Sequence, residues 1–588
     1  MNRRNFVKAV AMAPLLAEQT PFALASLPAG VPGRGVEESE SQMPMRDRFE
    51  LTLRRVLQGD SPAFTEEFLL ADVRPTPERR FTNFSGDTSG RYIGALATAT
   101  RVYGKQFPAL DALVSKVIAL QKPDGYFGSA FHYDKPTDED LALLWGNGRL
   151  LVGLIEYYRL RPSAPVLSAC RRIGDFLVRV GPLMLSNEIR EAFGAQHFAS
   201  SYICWTQQTE GLANLYECTH DARYRRLAEE IAAAIERLPG DHAHGYLTSL
   251  RGVMDLYQAT ADPRLLKQCE LAWQDVADST DLLITGGVPE GWSPNNHRTE
   301  GCAEADWVRL SLALWKATGQ AKYLSMSERA IFNELAFNQF ATGDFGHRVY
   351  TETGLPAAGA VRAWWCCTLH GLRCFPDVQT SAFRAGKHGL LFDMPIDSRV
   401  ETAELSAAAE SSLAENGTVR IRIAAAGNAS AALAIRKPEW ADKLEIRLNG
   451  SVREFPIGNG YVAIERAWVA GDTIEIKYGM QLRSEPSGKN RVAYSYGPWL
   501  LGAAASANPD YFNELTIENK LLASKNVAQP VRQRSAQPFS VPIAARAFRY
   551  TPAEYPDQPG TVVLRAIAEQ AGQPTTSWEL RLLSDESV

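Results

Sequence analysis

Two short stretches, Thr299-Glu300-Gly301-Cys302 and Trp364-Trp365-Cys366-Cys367-Thr368, constrain this 588-residue chain more than any others. Together they offer three thiols and one carboxylate, a donor set that suits a tetrahedral Zn²⁺. Side chains at i and i+2 stand about 200° apart on a helix, so Glu300 and Cys302 cannot converge from regular helix. Neighbours on a strand point to opposite faces, so Cys366 and Cys367 cannot both reach one point from a flat strand. Both pairs therefore belong at turns or at the ends of elements. Two other readings stand beside the metal. A buried free cysteine serves as a small hydrophobe, and an exported protein can form disulfides, although a bridge between adjacent cysteines is strained. The spacing matches no standard zinc-finger pattern.

From about residue 49 to 385 the dominant signal is helical. One pattern recurs: Leu215-Tyr216 with Thr219 and Asp221, Leu256-Tyr257 with Thr260 and Asp262, Leu314-Trp315 with Thr318 and Gly319. In the last copy Trp307, Leu310, Leu314 and Ala317 share one helical face while Arg309 and Lys316 fall off it. A single helical hairpin cannot bury its apolar face, so several must stack. Closure into an α/α barrel, with loops gathered at one mouth, satisfies all of them. Phe84-Ser85-Gly86-Asp87, Pro123-Asp124-Gly125-Tyr126-Phe127, Trp145-Gly146-Asn147-Gly148 and Thr285 to Glu290 interrupt the pattern and read as cleft rims.

After about residue 386 the period changes to two. Val419 to Ile423, Leu444 to Leu448 and Thr473 to Tyr478 alternate, with turns at Asn449-Gly450 and Ala470-Gly471-Asp472. This predicts a β-sandwich over 386–488, and a second β-rich module over 489–588 that either stands alone or completes the first. The fold class expected is a multidomain α+β chain, an α/α barrel over 49–385 followed by β-sandwich domains.

Lys plus Arg is 62 and Asp plus Glu is 67, a net charge of −5. With no basic block, nucleic acid is not an expected partner. Residues 1–25 read as a twin-arginine-type signal: Asn2-Arg3-Arg4-Asn5-Phe6-Val7-Lys8, an apolar run from Ala9 to Ala17, then Ala23-Leu24-Ala25 for cleavage. The run is too short to span a bilayer and contains Pro14, so no stable membrane anchor is expected and the protein is expected in the periplasm or medium. A Pro-, Gly-, Ser- and Glu-rich leader over 26–48 follows. The twin-arginine route carries folded proteins, which suits a chain that loads metal on thiols before meeting an oxidising compartment.

With these features in place, the chain resembles the β-L-arabinofuranosidases of glycoside hydrolase family 127. The resemblance is carried by Glu300-Gly301-Cys302, Cys366-Cys367, Gln121-Lys122-Pro123-Asp124-Gly125-Tyr126 and Leu433 to Ala441, with Trp468 to Asp472 and Tyr496-Gly497-Pro498-Trp499 in support. It implies an (α/α)₆ barrel followed by β-sandwich domains, with Zn²⁺ held by Glu300, Cys302, Cys366 and Cys367. It also implies a retaining mechanism, Cys366 as nucleophile and Glu290 as general acid/base. Coordination deprotonates a thiol outright. Attack by sulfur splits one displacement into two, and the carboxyl protonates the leaving oxygen and then activates water.

The implied partner is a glycan or oligosaccharide that loses a terminal β-L-arabinofuranosyl or related furanosyl residue. Two departures bear on the sugar. Trp145-Gly146-Asn147-Gly148-Arg149 stands where the best-known members have Gly-His, which makes Asn147 a candidate substrate contact. Thr368-Leu369-His370-Gly371 replaces the more usual Pro-Pro-Asn. His242, His244 and His370 are further candidates for substrate contacts, as are Trp145 and Glu210; Trp205 is another cleft candidate. Glu210 and Trp205 also fit plain roles, a helix first turn and a core aromatic. Other functions remain open: the same scaffold on another sugar such as an acidic branched deoxy-sugar, or a non-catalytic glycan binder with structural zinc. Self-association as a homodimer is compatible with the sequence.

Overall fold

The computed structural model describes residues 43–58, 62–74, 83–194, 201–292, 298–350, 359–386, 389–427, 430–486, 491–504, 520–523, 541–548, 558–570, 576–577 and 579–582. The expected signal over 1–25 and most of the leader lie outside them. Six helices form a closed inner ring: Asp87–Tyr103, Asp138–Leu160, Gln208–Thr219, Ala243–Thr260, Gly301–Thr318 and Cys367–Gln379. Each packs on the next and the last returns to the first. Six outer helices flank them: Met45–Gln58, Ala109–Ala119, Ala164–Met184, Ala222–Ala232, Pro263–Ala277 and Ala321–Ala330. This is an (α/α)₆ barrel.

Burial separates the two layers. The inner helix Asp138–Leu160 is buried without a break from Asp140 to Tyr157. The outer helix Ala222–Ala232 buries only Tyr224, Leu227, Ala228, Ile231 and Ala232, the stripe expected of a helix with one wet face. Inner helices also approach backbone to backbone. A Cβ on Gly153 would lie 2.1 Å from the Gly90 carbonyl oxygen, so the first two inner helices meet at a contact that admits no side chain.

The recurring threonine has a structural reason. Thr219, Thr260 and Thr318 each donate their hydroxyl to the carbonyl four residues back, at 2.7, 2.7 and 2.8 Å. The next residue, His220, Ala261 or Gly319, turns left-handed and ends the helix. Asp221 and Asp262 then cap the following outer helices through the amides of Arg223 and Arg264. The motif is thus a helix–turn–helix connector from inner to outer layer.

Three boundaries differ from the sequence reading. The leader gives way to helix at Met45 rather than after 48, because Arg48 donates to Ala336 O and Gln339 Oε1 at 3.0 Å each. The sandwich begins at Phe383, since Phe383–Gly386 pairs with Gly389–Phe392. It ends with Thr473–Met480, because Leu482–Pro486 pairs forward with Arg491–Tyr496 in the last sheet. The sandwich comprises a six-stranded and a five-stranded sheet, and Val419, Ile421 and Ile423 point inward between exposed Arg420 and Arg422. The last sheet is a separate module: its strands pair around until Arg491–Tyr496 meets Trp499–Ala504. It docks on the barrel where Leu500 N donates to Asn333 Oδ1 at 2.7 Å.

Candidate active site and metal centre

N-terminal ends of inner helices gather the unusual residues. Asp87 opens one helix, His242 and Glu300 precede two others, and Cys366 precedes the last. Glu300 is extended (φ −132°, ψ 128°) at the end of the strand Arg298–Glu300, and Cys302 lies in the first helical turn after it. That strand-to-helix change lets residues two apart converge. Cys366 (φ −123°, ψ −64°) is off the helix that Cys367 begins, so this adjacent pair converges too.

Cys302 Sγ lies 3.5 Å from Cys367 Sγ, which lies 3.6 Å from Cys366 Sγ and 3.7 Å from Glu300 Oε1. All four ligand atoms fall within 4.8 Å of one another. A disulfide needs about 2.05 Å, so these thiols are free. Tetrahedral ligands at a zinc–sulfur distance of about 2.3 Å place sulfurs roughly 3.8 Å apart, within a few tenths of the spacing seen. The donor set therefore fits a zinc-sized ion. Cys302 and Cys367 are fully buried, and Cys366 is half-buried. The neighbouring Cys302 and Cys367 hold the Cys366 thiol well below its ordinary range, while burial pushes Cys302 and Cys367 up.

Glu300 accepts from His242 Nε2 at 2.8 Å through its second oxygen. Burial would raise this carboxyl, but His242 outweighs it and holds Glu300 well below the carboxylate range. His242 also stands 6.2 Å, ring to ring, from Trp145, whose indole donates to Asp87 Oδ1 at 3.0 Å. Trp145 and His242 thus stand beside the cluster.

The backbone of Glu290 runs beside the start of the helix Ala243–Thr260, its carbonyl accepting from Ala243 N at 2.8 Å. Arg298 clasps its carboxylate with two donors, Nη2 at 2.7 Å and Nε closer still. His347, the strand partner of Glu300, places Nδ1 3.5 Å from Glu290 Oε2, an ion-pair contact longer than a good hydrogen bond. Burial pushes the Glu290 carboxyl up, but His347 and then Arg298 draw it down to about 2. Glu290 shares with His242 and Glu300 a second cluster within 4.8 Å.

Four sequence candidates sit elsewhere. His244 and His370 are only about 1 % exposed and serve a buried arginine. His244 Nδ1 donates to Asp306 at 2.6 Å and His370 Nε2 donates to it at 2.8 Å. That leaves Nε2 of His244 and Nδ1 of His370 to accept from Arg91, at 3.1 and 3.2 Å. Asn147 spends its amide on backbone: its oxygen accepts from Phe127 N at 2.8 Å, and its nitrogen donates to Phe127 O and Leu143 O at 3.0 and 2.9 Å. Glu210 lies in the barrel core, paired with Arg149, Arg251 and Arg373 at 2.9, 3.0 and 3.1 Å. The structure places all four among buried scaffold partners rather than beside the thiols; Trp205 is likewise core, with no exposed surface. Buried polar groups this deep must find partners, and these did.

Sequence reasoning missed Arg91, Asp306, Arg298 and His347. Only the first left a local trace, the Asp87–Arg91 pair at i and i+4, bonded at 2.8 Å.

With the geometry established, comparison with known proteins is direct. The profile of the β-L-arabinofuranosidase GH127 catalytic domain matches residues 53–380, and that of the GH127 middle domain matches 391–480. Among solved structures, a GH127 β-arabinofuranosidase superposes with a TM-score of 0.71 at 18 % identity, covering 91 % of this chain and 94 % of that one. A GH127 β-L-arabinofuranosidase from Geobacillus stearothermophilus T6 superposes at 0.68 and 17 % identity, covering 92 % and 99 %. At such identities the superpositions establish the fold. No sequence among curated proteins matches this chain.

Proposed function

Since this chain belongs to the GH127 β-L-arabinofuranosidase family of glycoside hydrolases, we propose that it removes a terminal β-L-arabinofuranosyl or related furanosyl residue from plant-type glycans. The reaction retains configuration, with Cys366 as nucleophile and Glu290 as acid/base. One observation carries this reading: three thiols and a carboxylate converge within 4.8 Å, and only Cys366 among those thiols is not fully buried. Glu300, Cys302, Cys366 and Cys367 would hold Zn²⁺, which supplies thiolate at neutral pH.

Cys366 Sγ forms a bond to the anomeric carbon as the carbon–oxygen bond breaks, and the electron pair leaves on the departing oxygen. Water oxygen then bonds to the anomeric carbon as the carbon–sulfur bond breaks, its electron pair returns to Cys366 Sγ, and Glu290 takes the water proton. His347 and Arg298 favour the carboxylate form of Glu290, the form this second step needs. In the first step Glu290, as the carboxylic acid, gives its proton to the leaving oxygen. Trp145 and His242, beside the cluster, are the side chains offered for contact with the sugar. Export belongs to the same proposal and rests on the twin-arginine segment at residues 2–8. Among the described residues no helix is long and apolar enough to cross a membrane.

The test combines metal analysis with turnover of aryl β-L-arabinofuranoside and related furanosides. The expected result is about one zinc per chain, release of the sugar, and a Cys366-linked sugar trapped by mass spectrometry. Full turnover by Cys366→Ala would sink the nucleophile assignment. Glycan binding without product release across the panel would favour a non-catalytic binder instead.

A further inference from the structure

We propose that Arg91 is a cationic member of the metal centre, hydrogen-bonded to the Cys302 thiolate and setting the charge balance among the three sulfurs. The inference rests on the zinc-thiolate reading above. Three thiolates and a carboxylate carry four negative charges, so a divalent ion leaves an excess of two in a site where Glu300, Cys302 and Cys367 are almost wholly buried. Uncompensated buried charge is strongly unfavourable. Arg91 Nη1 lies 3.7 Å from Cys302 Sγ, and the residue is 5 % exposed.

Its position is fixed by design of the surrounding groups. Nε donates to Asp87 Oδ1 at 2.8 Å, while Nη2 and Nη1 donate to His244 and His370. Both rings can accept only because Asp306 takes the proton on the opposite nitrogen of each. Asp306 is therefore the tautomer lock, and Arg91 is held in one plane by three acceptors. A lysine ammonium could not reach these together with Cys302.

The consequence is an asymmetry among sulfurs. Arg91 draws charge from Cys302, and Cys367 sits at the positive end of its own helix. Cys366, off the helix and without a direct Arg91 hydrogen bond, is the most exposed of the three sulfurs. Outer-sphere donors of this kind tune the ligands they touch. Arg91 is thus a positioning residue, acting through Cys302.

The experiment measures zinc affinity by competition with a chelating dye, and the thiolate-to-cobalt charge-transfer band of the Co²⁺-substituted protein. Arg91→Met should weaken zinc binding about 10- to 100-fold and shift the band. Arg91→Lys, which restores charge without the planar fork, should fall between wild type and Arg91→Met. A folded Arg91→Met protein with affinity within about twofold of wild type and an unmoved band overturns the inference. If Arg91→Met does not fold, Arg91→Lys decides by the same two readouts: an unmoved band and unchanged affinity overturn it. Absence of any thiolate–cobalt band in the wild type would instead bring down the zinc-thiolate reading itself, so the two failures are distinct.

Discussion

Glu210→Gln separates a scaffold carboxylate from a substrate contact. Glu210 is fully buried and faces three arginines, with Thr248 Oγ1 as a fourth donor at 3.1 Å. Glutamine keeps the volume and removes the charge, leaving those guanidiniums under-compensated. Breaking a buried ion pair from one side is destabilising by about 3–5 kcal/mol. Spread over a barrel of roughly 330 residues with an unfolding entropy of about 2.1 cal/mol/K per residue, 4 kcal/mol lowers Tm by about 6 °C. The pH dependence has a definite sign. Burial raises the Glu210 carboxyl, but Arg251, Arg149 and Arg373 outweigh it and hold it well below its ordinary 4.5. A depressed carboxylate contributes stability that is present above the unfolded value and lost as pH falls through the folded one. The Tm gap between wild type and Glu210→Gln should therefore be full near pH 7 and narrow progressively below about pH 4.5. Scanning calorimetry across that range, with Michaelis constants at 25 °C, makes the measurement. An unchanged Tm with a strongly raised KM would refute the reasoning and return Glu210 to the cleft.

Glu290→Gln should lower kcat/KM by about 10²–10⁴ for sugar or alkyl leaving groups, which need a proton, and far less for activated aryl leaving groups; equal losses would remove Glu290 from the acid role. Asn147→Ala strips partners from Phe127 N, Phe127 O and Leu143 O, a loss of about 3 kcal/mol visible as reduced Tm with KM unaltered. A normal Tm with raised KM would make Asn147 the sugar contact its sequence position suggested.

Much of this site could be read from residue order, and the reasons are local. Glu300-x-Cys302 and Cys366-Cys367 cannot converge from regular helix or strand, so covalent geometry put them at turns or element ends, and the structure has both at helix starts. The Thr219, Thr260 and Thr318 connectors are likewise contained within a few residues. What escaped was everything needing partners from several helices. Because the inner helices are buried all round, their sequences have no wet face from which to infer a direction. His244 could equally have pointed into the cleft; Asp306, 62 positions later, decides that it does not. Domain edges slipped for a related reason, since the four-residue strand Phe383–Gly386 is too short to show alternation.

The polar core explains why those misreadings clustered on histidines and acids. Between the inner helices, some of which meet as closely as Gly90 and Gly153, buried charges form a connected chain. At one end Glu210 gathers Arg149, Arg251 and Arg373; Arg251 also bonds Asp306 at 2.8 Å. Asp306 orients His244 and His370, and these in turn hold Arg91 against Cys302. Every link alternates in sign or matches donor to acceptor, so the network is satisfied only as a whole. The two buried acids consequently differ in kind: Glu210 neutralises arginines at a distance from the cluster, whereas Asp306 fixes which ring nitrogen carries each proton. A residue type that looks catalytic in a string of letters is, in this barrel, part of the network that holds Arg91 against Cys302.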